Sequence, residues 1–163
     1  MVSKITEIVN ECLEKYVGGT PFFNAIDEKL RFDKSMIDLM ISEVIENEEF
    51  DYIIVSGKFG LSFEEHCHNY YNKEFNKKII VINGGLRKDN VIIPFWENFN
   101  IEEKKIVFID DSYYLGRTRD KIKMAIEEKN GTLINTYVFY DGSKTKDDSV
   151  KSFYRYYDFH EIN

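Results

Sequence analysis

The chain has 163 residues, 22 of them basic and 29 acidic, for a formal charge of −7. This length suggests one domain, read as residues 1–163. Its acidity argues against a general nucleic-acid binder while leaving room for a local basic site. Hydrophobic residues make up 43% and aromatics 15%, enough for a full core. The two cysteines, Cys12 and Cys67, are far apart and form no CxxC, so both are read as reduced thiols. No apolar run approaches the roughly 20 residues of a membrane span, and no signal peptide is evident. The expectation is a soluble, cytoplasmic protein with no membrane partner.

In chain order, residues 3–16 carry Ile5, Ile8, Val9, Cys12, Leu13 and Tyr16 at helical spacing. Gly18-Gly19 is expected to end that helix. Residues 20–32 are ambiguous, with Pro21 able to open a short helix. Residues 34–47 repeat apolar positions at Met36, Ile37, Met40, Ile41, Val44 and Ile45, an amphipathic helix. These residues form an N-terminal helical segment, 1–47.

The period then changes. Tyr52–Val55 is a short apolar run that reads as a buried strand, and Ser56-Gly-Lys-Phe-Gly60 as a turn. A helix is expected over 61–71, a second strand over 78–82 and a loop at Asn83-Gly-Gly85. Residues 86–104 are hard to read, although Val91–Ile93 fit a short strand. Ile106–Ile109 reads as a third strand closed by Asp110 and Asp111. A helix follows over 117–129, then a fourth strand over 133–140. Residues 141–163 form an aromatic tail, expected to pack as a final strand or a lid. Strands alternating with helices across 48–140 indicate an α/β fold, a parallel sheet flanked by helices.

The informative segment is Ile106-Val-Phe-Ile-Asp-Asp-Ser-Tyr-Tyr-Leu-Gly-Arg-Thr118. In open α/β sheets, ligands bind beyond the carboxyl ends of the strands. A strand-to-helix loop presents backbone N–H groups to a phosphate, and glycine permits close approach. Carboxylates accept strong hydrogen bonds from vicinal hydroxyls. Together these point to a sugar phosphate. Glu65-His-Cys-His68 suggests a metal cluster at first sight, but residues two apart on a helix face different ways.

The 106–118 segment resembles the PRPP-binding motif of the type I phosphoribosyltransferases (PRPP is 5-phosphoribosyl 1-pyrophosphate). The resemblance implies a type I phosphoribosyltransferase-like fold. It implies that Asp110 and Asp111 hold the ribose hydroxyls and that Ser112, Tyr114, Gly116, Arg117 and Thr118 line the ligand site. Gly57 and Lys58 occupy the place of the family's pyrophosphate loop. Arg87 and Lys88 sit where orotate phosphoribosyltransferases carry an Arg-Lys pair. Asp110, Asp111 and Lys58 would then be the catalytic residues, with Mg²⁺ as cofactor held indirectly by the acid pair. PRPP or a nucleotide would be the small-molecule partner, a homodimer is possible, and no nucleic acid is expected. Tyr114 stands where family members commonly carry an acid or a small residue, and Leu115 replaces a hydroxyl residue. The implied function is transfer of a phosphoribosyl group to or from a base. The alternative is a catalytically degenerate protein of the same fold, acting as a ligand-binding regulator or interaction component.

Overall fold

The computed structural model describes residues 2–16, 19–31, 33–82 and 99–161. Among them, five strands form one sheet: β1 (Tyr52–Ser56), β2 (Ile79–Ile82), β3 (Lys105–Tyr113), β4 (Thr132–Asp141) and β5 (Val150–Arg155). All neighbours pair in parallel, in the order β2-β1-β3-β4-β5. β-branched and aromatic residues dominate these runs and suit a sheet covered on both faces.

Among the described residues, six helices accompany the sheet: α1 (Val2–Lys15), α2 (Gly19–Arg31), α3 (Lys34–Asn47), α4 (Gly57–Tyr70), α5 (Lys73–Asn76) and α6 (Arg117–Glu128). Alternation along β3 sorts the core into two halves. Val107 and Ile109 pack with Ile5, Ile26, Met40 and Phe63 from α1 to α4. Ile106 and Phe108 pack with Ile122 and Ile126 of α6 on the other face. Each such buried aliphatic side chain contributes about 1.5–3 kcal/mol by leaving water.

The winding fixes where the helices lie. From β1 the chain moves outward to β2 through α4; from β3 it moves the opposite way to β4 through α6. Right-handed crossovers in opposite directions put α4 and α6 on opposite faces. Between β1 and β3 the direction reverses, and the helices diverge from the carboxyl ends of those strands. This is the crevice where open α/β sheets bind ligands.

Several expectations change. Gly19 begins α2 rather than ending the first helix, and the ambiguous stretch from residue 20 to Arg31 forms most of a 13-residue helix. The Ser56–Gly60 turn contracts to one left-handed residue, Gly57 at φ +63°, so Lys58, Phe59 and Gly60 lie in the first turn of α4. Gly60 is needed there, because a Cβ would sit 3.0 Å from the Val55 carbonyl carbon. β3 does not stop at Ile109 but runs through the acid pair to Tyr113. The tail supplies the edge strand β5 and a 3₁₀ turn over Tyr156–Asp158. Val91–Ile93 lies outside the described residues.

Cys12 and Cys67 are buried thiols, not joined to each other. Burial pushes the Cys67 thiol up to about 12, which suppresses the reactive thiolate. His66 is buried, with Nε2 2.7 Å from Asp38 Oδ1, whereas His68 is exposed. Among the described residues, no helix is long and apolar enough to cross a membrane.

Candidate functional site

The site is built where β1 and β3 end. Because β3 continues through the acids, Asp110 and Asp111 project to opposite faces of the pleat. Asp110 follows the α6 side with Phe108, and Asp111 follows the α2 side with Ile109. Both nevertheless line the same two adjoining clefts at the strand ends. The smaller, about 260 Å³, is bounded by Arg31, Ser56, Gly57, Lys58, Asp110, Asp111 and Thr118, among others. The larger, about 320 Å³, runs along the β3–α6 loop past Asp27, Tyr114, Gly116 and Thr118.

Local backbone geometry prepares both clefts for an anion. Gly116, at φ +74°, reverses the chain so that α6 starts directly behind the acid pair. A Cβ there would lie 2.7 Å from the Tyr113 hydroxyl, so the position requires glycine. Helix N-termini carry unpaired N–H groups and partial positive charge. Asp33 and Asn72 cap α3 and α5 through their side chains. Neither α4 nor α6, the two helices that start at the crevice, has a side-chain cap bond. Their first-turn N–H groups can therefore receive a phosphate.

The electrostatics are dominated by carboxylates. Burial first, and the neighbouring Asp111 charge second, raise the Asp110 carboxyl well above the ordinary range. One backbone N–H opposes this: Asp111 N donates to Asp110 Oδ1 at 2.9 Å. Ser112 N donates to Asp111 Oδ1, also at 2.9 Å. Asp111 is only 6% exposed, and Arg31 Nε donates to its Oδ2 at 3.2 Å.

Sequence reasoning missed Asp27 and Arg31, one turn apart on α2 with both side chains in the clefts. The Tyr114 hydroxyl donates to Asp27 Oδ1 at 3.1 Å. Burial, reinforced by the Asp111 charge, pushes Asp27 up to about 6 despite hydrogen bonds from Ser112 and Tyr114. Arg119 was missed as well. Its guanidinium donates to Asp147 at 2.8 Å, Ser149 at 2.9 Å and the Tyr113 hydroxyl at 3.2 Å, tying the β3–α6 loop to the β4–β5 loop. The only signal of Asp27 and Arg31 in the sequence was their i, i+4 spacing, which does not reveal what the helix covers.

The structure brings together Gly57, Lys58, Asp110, Asp111, Ser112, Tyr114, Gly116, Arg117 and Thr118 around these clefts. Arg87 and Lys88 lie outside the described residues. Tyr114 is held inward, its ring 5.9 Å from Tyr140, and a Cβ at Gly142 would lie 2.7 Å from that ring. Leu115 is 73% exposed. A separate cleft of about 710 Å³ is lined from α1 and α2 by Glu11, Lys15, Glu28 and Lys29, among others, and includes neither acid of the pair.

No protein-family model matches the chain, and no curated protein matches it. Solved structures do. A purine phosphoribosyltransferase from Pyrococcus horikoshii superposes with a TM-score of 0.53 at 18% identity, over 74% of this chain and 80% of that one. A phosphoribosyltransferase from Corynebacterium diphtheriae gives 0.53 at 13% identity, over 96% of both chains. An orotate phosphoribosyltransferase from Francisella tularensis gives 0.51 at 12% identity, over 77% of this chain and 67% of that one. A five-stranded parallel sheet with helices on both faces agrees with these neighbours: the chain has a type I phosphoribosyltransferase-like fold.

Proposed function

We propose that the strand-end clefts bind PRPP or a nucleotide 5′-phosphate and that the chain transfers the phosphoribosyl group to or from a base. One observation carries this reading: the β1/β3 reversal joins the acid pair Asp110-Asp111 to two uncapped helix starts, at Gly57-Lys58 and Gly116-Arg117-Thr118. A sugar bearing vicinal hydroxyls between two phosphate groups matches that arrangement of acceptors and donors.

The roles follow from chemistry. Asp110 and Asp111 accept hydrogen bonds from the ribose 2′ and 3′ hydroxyls. Their charge also favours the oxocarbenium-like state that develops as the C1–oxygen bond breaks. The first turn of α6 with Thr118 takes the 5′-phosphate, and Lys58 with the α4 turn takes the pyrophosphate. The described residues contain no group of three or more His, Cys, Asp or Glu side chains able to hold a metal ion. The donor set therefore fits a Mg²⁺ carried mainly by ligand oxygens and waters, with the acid pair acting from behind, and the ion would neutralise pyrophosphate charge.

Calorimetry with PRPP and Mg²⁺ tests this, using the native chain and the Asp110→Asn/Asp111→Asn double variant. Binding by the native chain that the variant loses supports the reading. No heat at millimolar PRPP would sink it. Binding without release of pyrophosphate, across a panel of purine and pyrimidine bases, would favour the ligand-binding alternative, which the inward Tyr114 motivates.

A further inference from the structure

Arg31 lies at the last position of α2, a helix that enters the site from the other end of the sequence. Its Nε contacts Asp111 Oδ2 at 3.2 Å, and its side chain keeps 28% of its exposure. It also lines the smaller cleft beside Ser56, Gly57 and Lys58, where the proposed pyrophosphate would lie. A buried Arg–carboxylate pair usually forms a two-pronged contact through paired N–H groups. Here the contact with Asp111 is through Nε alone, and the Nη fork is outside it.

The carboxylates of Asp27, Asp110 and Asp111 all border the clefts. A polyanion placed beside these acids is repelled by those that are ionised unless cations are fixed there too. Lys58 is exposed on a flexible stem. Arg31 is partly buried and already oriented by Asp111, so less conformational freedom is lost when it binds.

We propose that Arg31 is an anion-binding residue of this site: its Nη groups take the pyrophosphate while Nε continues to hold Asp111. This deepens the phosphoribosyl reading and rests on its assignment of the cleft. The helix α2 would thus contribute a direct ligand contact, not only cover.

The rival role for Arg31 is docking α2 onto the sheet through Asp111. Calorimetry with inorganic pyrophosphate separates the two, run on the native chain, Arg31→Gln, Arg31→Lys and Asp111→Asn, each shown to be folded by circular dichroism. The expected result is roughly 10- to 100-fold weaker binding in Arg31→Gln, the loss of one charge-assisted contact. Arg31→Lys should recover part of it, and Asp111→Asn should retain it. Equal affinity in Arg31→Gln and the native chain overturns the proposal, as does a native chain that binds no pyrophosphate. PRPP binding that Arg31→Gln leaves unchanged overturns the Arg31 role alone. Pyrophosphate binding that needs Arg31, in a native chain that does not bind PRPP, overturns the phosphoribosyl reading and leaves Arg31 standing.

Discussion

The Tyr114 hydroxyl donates to Asp27 Oδ1 at 3.1 Å, joining the loop after β3 to a helix 87 positions earlier in the chain. The bond holds α2 over the acid pair and turns the Tyr114 side chain inward. Stability should vary with pH through Asp27. Folding pushes Asp27 up to about 6, from an unfolded value near 4. Between those values the folded state holds a proton that the unfolded state releases, so the stability associated with Asp27 falls as pH rises from about 4 to about 6. Asp110, also raised, acts in the same direction. Asp27→Asn should remove the Asp27 share, of order 1–3 kcal/mol. Urea unfolding at pH 4.5 and pH 7 checks it: an unchanged pH slope in the variant would refute the assignment.

Asp147 supplies the opposite slope. Its carboxyl is lowered to about 2, chiefly by the Ser149 hydroxyl and then by Arg119. A depressed acid contributes stability that is present above the unfolded value near 4 and lost as pH falls towards 2. Asp147→Asn should lower the melting temperature at pH 7 and leave it unchanged near pH 2. Equal losses at both pH values would mean that the contact is not ionic.

The two left-handed glycines should respond differently to alanine. At Gly57, φ +63°, an added methyl would point into open space, with nothing within 4 Å. Gly57→Ala then meets only the backbone penalty, about 1 kcal/mol. Gly116→Ala adds a clash with the Tyr113 hydroxyl at 2.7 Å, for a total of about 2–4 kcal/mol. Denaturant midpoints compare the two directly; equal losses would contradict the packing of Tyr113 over the loop.

Leu115 points to solvent beside the cleft, so changing it should not disturb the core. Leu115→Thr should keep stability within about 0.5 kcal/mol and raise PRPP affinity by up to roughly tenfold through one added hydroxyl contact. Calorimetry of the variant against the native chain reads this, and unchanged affinity would remove position 115 from the phosphate contacts.

Local patterns in the chain account for most of the elements and for the chemistry at the end of β3. Apolar runs such as Ile106–Ile109 and the helical spacing of Met36 to Val44 reflect which side chains must leave water. Asp110, Asp111, Gly116 and Thr118 are legible as a candidate site because strand, acid pair and loop are contiguous. The remainder depends on contacts between distant segments. Pairing across the sheet reverses the winding between β1 and β3, which brings Gly57 and Lys58 beside the acids. Pairing of Asp110 with Val138 and of Ser112 with Tyr140 carries β3 beyond Ile109 and splits the acids between faces. Docking of α2 brings Asp27 and Arg31 into the clefts. Those contacts join residues 80 or more positions apart, and periodicity along one helix records that it has a buried face but not what that face meets.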